Sequence, residues 1–221
     1  MPRKILSRRT SDTIELHLGK VLIFCEGHTE ENYFSYFQKR ITNKYDDVII
    51  KMETVNANSQ SVLNYAERFL NDDENQKAYY NYEKHLVFDC DDPSNILEVI
   101  ESAEKSEHHF HLLISSLRFE VWILMHLEDL EPVAITKKQI NERLEGHLSL
   151  EPNSYKSHKD DAGLIARIIK EHGNVDSAIV NADALRSYYD AHHLEIGEII
   201  SGKYPYSAVG DLVKQLAKAT E

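Results

Sequence analysis

Cysteine is scarce in this sequence, with only Cys25 and Cys90 in 221 residues. Two cysteines in a chain of this length indicate neither a disulfide scaffold nor a cysteine-rich zinc site. Long hydrophobic runs are also missing: residues 21–25 and 121–125 fall far below the roughly 20 apolar residues of a membrane span. No secretory signal pattern opens the chain. We therefore expect a soluble, cytoplasmic protein that does not bind membranes.

Glycine and positive charge are in short supply as well. With eight glycines the sequence has no GxxxxGK[ST] phosphate loop and no GxGxxG fingerprint, so ATP hydrolysis by this chain is not expected. The 25 basic and 37 acidic residues give a net charge of −12, which argues against broad, sequence-blind binding of a duplex. Basic residues concentrate within residues 1–18, which form either a local basic arm or a solvated terminus.

Apolar runs and amphipathic segments alternate in the first half of the chain. Residues 20–26 (KVLIFCE) are typical of a strand buried on both faces, and further strands are predicted at residues 47–55, 85–89 and 109–114, with helices between them. This order predicts an α/β fold with a mostly parallel sheet flanked by helices. We assign residues 19–117 to this core.

The second half of the chain has little strand signal. Helices are predicted at residues 118–127, 137–148, 160–172 and 207–219. Because no long Gly/Ser-rich or proline-rich linker precedes them, residues 118–221 are interpreted as an α-helical C-terminal extension packed on the same core.

Carboxylates stand where two of the predicted strands end. Glu26 ends the first strand, and Asp89 and Asp91 lie in the segment DCDD after the third. The loops that follow parallel strands meet at the carboxyl edge of the sheet, and Mg²⁺ or Mn²⁺ prefers carboxylate oxygen ligands. These three residues are therefore the predicted metal site. The alternative is that Asp91 or Asp92 only caps the next helix; for Asp92 we favour the cap.

Three other features carry weaker signals. Glu120 lies in the apolar segment FEVWILM and is either a buried hydrogen-bonded carboxylate or part of the metal site. Lys156, in YKSHK with His158 and Lys159, either contacts a phosphate or belongs to an ordinary surface. His109 and His111 are predicted to share one face of a strand, but no third ligand stands at zinc spacing.

Several segments resemble the RloB-like and AbiL-type families, which carry a Toprim catalytic core. The resemblance rests on CEGHTEENYF at residues 25–34, DCDD at 89–92 and FEVWILMH at 119–126, with weaker matches at residues 155–156 and 204–207. Two positions depart from the family pattern: Leu117 replaces a proline-like turn, and Tyr206 replaces a small residue or proline. Both departures concern loops rather than the acidic positions.

The resemblance implies a Toprim-like fold in which Glu26, Asp89 and Asp91 bind divalent metal and Glu120 supports the metal or the attacking water. It implies a Mg²⁺-dependent nuclease acting on DNA or on structured RNA such as tRNA, the toxic effector of an anti-phage defence system with an ATPase partner. A homodimer is compatible with this interpretation. The alternatives are a Toprim enzyme of strand transfer or phosphate-ester hydrolysis, and a non-catalytic sensor or interaction subunit.

Overall fold

The computed structural model describes residues 19–45, 48–90 and 93–220. The predicted basic arm and the predicted metal ligand Asp91 therefore lie outside the described residues. The described residues form four strands: β1 (Lys20–Cys25), β2 (Ile49–Thr54), β3 (Glu83–Cys90) and β4 (His111–Ser116). The helices that connect them are α1 (His28–Thr42), α2 (Ser59–Leu70), α3 (Asp73–Ala78) and α4 (Pro93–Glu104).

The remaining helices follow β4. They are α5 (Glu120–Met125), α6 (Lys137–Leu148), α7 (Tyr155–His158), α8 (Ala162–Arg167), a π-helical turn (Ile168–His172), α9 (Val175–Ala191), α10 (Ile196–Ser201) and α11 (Gly210–Thr220). Across the described ranges, no helix is both long and apolar enough to cross a membrane.

All four strands are parallel, in the spatial order β2-β1-β3-β4. The predicted α/β fold, Toprim-like with helices flanking the sheet and a helical C-terminal part, is thus confirmed. From β1 the chain goes to β2 on one side and then crosses to β3 on the other, so the order reverses between β1 and β3. At such a reversal the connections leave the carboxyl edge in opposite directions and open a crevice there.

The central strand β1 is buried on both faces of the sheet, which explains its unbroken apolar run. Val21, Ile23 and Cys25 belong to a core that includes α1 and the C-terminal helices, whereas Leu22 and Phe24 belong to a second core under α2 and α4. The larger core is continuous from β1 to side chains of α5, α9 and α11. The helices after β4 therefore share a core with one face of the sheet, while the domain boundary at residue 117 stays a prediction.

Two predicted elements are corrected by the backbone. β4 begins at His111 rather than at residue 109, because His109 has a positive φ of 54°. His109 and His111 therefore do not share a strand face; the His111 ring instead stacks on that of His85 with 4.9 Å between centroids. The helix predicted for residues 160–172 consists of α8 followed by the π-helical turn.

A candidate metal centre at the carboxyl edge of the sheet

Glu26 and Asp89 meet at the switch point between β1 and β3. The main-chain N–H of Glu26 donates to the Val87 carbonyl over 3.1 Å, which continues the pairing of β1 with β3 by one residue. The Glu26 carboxylate (Oε2) in turn accepts the main-chain N–H of Asp89 at 3.1 Å. Two of the three predicted metal ligands are thus joined by a hydrogen bond across neighbouring strand ends.

The Asp89 side chain is the most unusual group at this edge. Its Oδ1 atom is buried and has no hydrogen-bond partner among the described residues. Burial raises the pKa of Asp89 well above its ordinary range, and the negative charges of Glu30 and Glu26 raise it further. A buried carboxylate oxygen without a donor is costly, and a cation or a proton would remove that cost.

Glu30 is a member of this cluster that was not selected from the sequence as a site residue. It is 5% exposed, and its Oε2 accepts the N–H of Gly27, the N-cap residue of α1, at 3.1 Å. Burial raises its pKa to about 7, with a contribution from Glu120 that Lys159 opposes. No local sequence signal distinguishes Glu30 from an ordinary glutamate in the first turn of a helix.

Glu120 reaches the same space from the start of α5. It is 4% exposed, and Arg118 is its nearest basic partner, with 3.6 Å between Nε and the Glu120 Oε2. Arg118 also donates from Nη1 to Asn141 at 2.9 Å. The charge of Glu120 raises the pKa of Asp89, and that of Arg118 lowers it. The structure therefore brings Glu120 to the predicted carboxylates.

The turn before α5 explains the departure at Leu117. Leu117 has a φ of 64°, and its N–H donates to the Cys90 carbonyl over 3.0 Å. Proline is confined to φ near −65° and has no N–H, so it fits neither condition. The turn in this chain therefore requires a residue other than proline, and it carries Arg118 and Glu120 from the end of β4 to the end of β3.

The segment around α7 borders the cluster on a further side. Both oxygens of the buried Glu145 accept main-chain N–H groups, from Asn153 and Tyr155, at 3.0 Å each. The Tyr155 hydroxyl is buried without a hydrogen-bond partner among the described residues, and burial followed by the charge of Glu120 raises its pKa. A further contact joins Thr29 to Asp160, with 3.0 Å between Oγ1 and Oδ1.

The two lysines of this segment differ in position. Lys156, the basic residue selected from the sequence, is exposed on α7. Lys159 is partly buried, and its charge lowers the pKa of Glu30. Lys159 is therefore the basic group that the fold brings into electrostatic contact with the acidic cluster.

The residues present fit a hard divalent cation. Four carboxylates interact electrostatically in this region, namely Glu26, Glu30, Asp89 and Glu120. The positive charges of Arg118 and Lys159 partly offset their negative charge. Among the described residues, no group of three or more His, Cys, Asp and Glu side chains is arranged to hold a metal ion. Mg²⁺ is commonly held by only one or two carboxylates together with water and substrate phosphates. Glu26 and Asp89 satisfy that requirement, and Asp91 stays a predicted third ligand.

The chain is an α/β protein with a parallel sheet, consistent with a Toprim-like fold, and the acidic residues at its switch point form a candidate metal centre. The family model for RloB-like proteins matches residues 21–216, and the chain belongs to the RloB-like protein family. The match extends from β1 into α11, so the family includes the helices after β4 as well as the sheet. No curated protein and no solved structure matches the chain significantly.

Proposed function

We propose that this protein is a Mg²⁺- or Mn²⁺-dependent Toprim nuclease that cleaves phosphodiester bonds in DNA or in structured RNA such as tRNA. The observation that carries the proposal is the buried Oδ1 of Asp89, which lacks a donor and is surrounded by other carboxylates. A cation bound here would neutralise the cluster, and substrate phosphate oxygens would complete its coordination.

Glu26, Asp89 and Asp91 are the proposed metal ligands. When bound, the cation polarises a phosphoryl oxygen and favours ionisation of an attacking water. Glu26 is held in orientation by the N–H of Asp89, so its carboxylate is fixed before any ligand arrives. Pre-positioned groups of this kind contribute more to catalysis than groups that must reorient.

Glu30 and Glu120 have a separate proposed role in handling protons and charge. The pKa of Glu30, about 7, lets it exist in both protonation states near neutral pH, which suits a residue that accepts or releases a proton. Glu120, paired with Arg118, supports the acidic site or the attacking water. Lys156 was the basic residue proposed from the sequence to approach the phosphate. Because Lys159 interacts electrostatically with Glu30, it is a better candidate than Lys156 for contacting the phosphate.

The biological setting of the proposal rests on the family alone. The resemblance implies a toxic effector of anti-phage defence that acts with an ATPase partner. The chain lacks its own phosphate-binding loop, so nucleotide hydrolysis would be supplied by that second protein. We propose this setting as the context in which activity is triggered.

The proposal is tested by metal binding and cleavage with the full chain. Calorimetric titration with Mg²⁺ and Mn²⁺ measures binding, and plasmid DNA, single-stranded DNA and total RNA serve as substrates. The double variant Asp89→Ala/Asp91→Ala is expected to lose both activities. The control, Asp73→Ala/Glu74→Ala, removes two exposed carboxylates from α3 and is expected to keep both.

Two results would count against this proposal. Metal binding that survives the Asp89→Ala/Asp91→Ala change means that the metal site lies elsewhere. Metal binding by the unmodified chain without cleavage of any substrate, with or without an ATPase partner, favours the non-catalytic sensor or interaction subunit.

A further inference from the structure

A groove of about 340 Å³ lies between α1 and the consecutive α8 and π-helical turn. Four of the residues that line it are basic, Lys39, Arg40, Arg167 and Lys170, and one is acidic, Glu171. This local excess of positive charge is notable in a chain whose net charge is −12. Because exposed charges are screened over about 8 Å in physiological salt, the charges that line the groove have more influence on a nearby anion than the acidic remainder of the protein.

The two arginines of the groove are oriented by their neighbours. Arg40 lies over the ring of Tyr36, with 3.5 Å from its guanidinium carbon to the ring centroid, and donates to the Tyr36 carbonyl at 3.0 Å. Arg167 contacts His172 at 3.0 Å and Glu171 at 3.8 Å. Neighbouring groups therefore hold each guanidinium in place without a buried salt bridge. The exposed salt bridge between Arg167 and Glu171 contributes little to stability.

The two lysines lie on opposite walls of the groove. Lys39 belongs to α1 and Lys170 to the π-helical turn; both are exposed, and within the described ranges neither forms a salt bridge. Ammonium groups without a carboxylate partner are available to an incoming anion. Two facing lysines with an oriented arginine beside each are suited to several phosphates in a row rather than to one small ion.

One end of the groove lies at Asn32, in the N-terminal part of α1 that also carries Glu30. Asn32 lines the groove, and its side-chain amide donates to the Asp160 carbonyl at 2.9 Å. Asp160 also accepts from Thr29, the residue before Glu30. Lys39 stands nine residues after Glu30 on α1, about 14 Å further along the helix axis and on the opposite side of the helix. The Asn32 end of the groove is therefore the end nearer to the carboxylates.

We infer that this groove binds the sugar–phosphate backbone of a single-stranded segment of the nucleic-acid substrate and leads it to the acidic site. This inference rests on the proposed function. A single strand is favoured over a duplex because the groove is small, about 340 Å³, and the protein as a whole carries a net charge of −12. The flat pair formed by Arg40 and Tyr36 adds a surface on which a base can stack, as in other proteins that bind single strands.

Binding without cleavage isolates the groove from the chemistry. Fluorescence anisotropy in EDTA, with labelled single-stranded DNA, single-stranded RNA and duplex DNA, measures affinity as a function of salt for the full chain. The variant Lys39→Gln/Lys170→Gln is expected to bind single strands about tenfold more weakly. The slope of log affinity against log salt concentration is expected to become shallower by about 1.4, which corresponds to two lost phosphate contacts on a single strand. The RNA and DNA arms identify which nucleic acid is preferred.

Two further variants control for charge and for folding. Lys77→Gln/Lys105→Gln removes the same charge from exposed positions on α3 and at the end of α4, and is expected to leave affinity unchanged. Lys39→Arg/Lys170→Arg keeps the charge and is expected to keep binding. Melting temperatures of all variants verify that these exposed substitutions leave the fold intact.

The outcomes separate the groove from the proposed nuclease activity. Equal affinity of the groove variant and the Lys77→Gln/Lys105→Gln control, or no binding by the unmodified chain, overturns the groove. Groove-dependent binding in EDTA without cleavage in Mg²⁺ or Mn²⁺, whether or not an ATPase partner is present, overturns the nuclease and leaves the groove standing. Loss of affinity for duplex DNA alone overturns the assignment to a single strand.

Discussion

The main-chain N–H of Asp89 donates to the carboxylate of Glu26 across 3.1 Å, so the residue that ends β1 holds the end of β3. This hydrogen bond gives Glu26 a structural role as well as its proposed role as a metal ligand. The two roles need different properties of the side chain: the hydrogen bond needs an acceptor oxygen, and the metal needs negative charge.

Substitutions at Glu26 separate these two roles. Glu26→Gln keeps an acceptor for the Asp89 N–H and is expected to fold with nearly unchanged stability, whereas Glu26→Ala is expected to lose about 1 to 3 kcal/mol because it removes that acceptor. Both variants are expected to bind Mg²⁺ at least tenfold more weakly. Urea denaturation in EDTA and calorimetric titration measure the two effects. Full metal affinity in Glu26→Gln would show that Glu26 is structural only.

Glu30 makes the stability of the metal-free protein dependent on pH. Its pKa in the folded protein, about 7, lies above the ordinary value of 4.5, so the folded state binds the proton more tightly than the unfolded state. The free energy of unfolding therefore falls as the pH rises from about 4.5 to about 7 and levels off above that, by up to about 3 kcal/mol. Glu30→Gln, which keeps an acceptor for Gly27, is expected to be more stable than the parent at pH 8 and equally stable at pH 4.

The comparison needs melting curves in EDTA across this pH range. Glu31→Gln removes the same charge from a partly exposed neighbour in α1 and is expected to change stability by less than about 1 kcal/mol. If Glu30→Gln were less stable than the parent at pH 8, the carboxylate of Glu30 would be satisfied in the fold and not strained by its neighbours.

Gly173 is expected to be intolerant of a side chain. A Cβ at this position would lie 2.7 Å from the His126 Cβ and 2.8 Å from the Ile168 carbonyl oxygen. Gly173→Ala should therefore lower the free energy of unfolding by about 1 to 3 kcal/mol through overpacking. Gly146→Ala in α6, where no atom lies within 4 Å of the new Cβ, should raise it by about 0.5 to 1 kcal/mol. Chemical denaturation of the two variants provides the test, and a neutral Gly173→Ala would refute the packing argument.

Glu145 is expected to control the position of the segment that carries Lys159. Its two carboxylate oxygens accept the N–H groups of Asn153 and Tyr155, and glutamine supplies only one acceptor oxygen. Glu145→Gln should therefore lose about 1 to 3 kcal/mol and speed hydrogen exchange at the Tyr155 amide. Glu142→Gln, on the same helix but exposed and paired with Lys138, should change neither measurement appreciably. Unchanged exchange in Glu145→Gln would show that the segment is held by other contacts.

Local patterns were sufficient to predict much of the sheet. The apolar runs of β1 and β3 are buried on both faces, as parallel strands are, and their acidic ends are neighbours. Helix α6 begins and ends as predicted, at Lys137 and Leu148. Its start is recognisable in the sequence because Thr136 and Gln139 form a capping box. By contrast, α9 escaped prediction because its buried face is built partly from Ala178, Asn181 and Ala182, which give a weak apolar periodicity.

The composition of the acidic cluster depends on contacts between distant parts of the chain. A glutamate in the first turn of a helix is ordinary, and nothing local reveals that Glu30 is covered from the direction of Glu120 and Lys159. Which of Lys156 and Lys159 approaches the acidic cluster depends on the position of α7, a helix of four residues. Both are tertiary effects, whereas Glu26 and Asp89 are placed by the ends of their own strands.

The pairing at the outer edge of β4 has a consequence for synthesis. Ser115 pairs with Ser207 in an antiparallel bridge, Ser116 donates its N–H to the Tyr206 carbonyl, and Ala208 donates to the Ile114 carbonyl. An uncovered strand edge is a template for association between chains. Because the covering segment follows β4 by about 90 residues, a nascent chain carries an open β4 edge until this segment leaves the ribosome. Chaperone dependence and aggregation during expression should therefore increase when translation is slowed between residues 116 and 207.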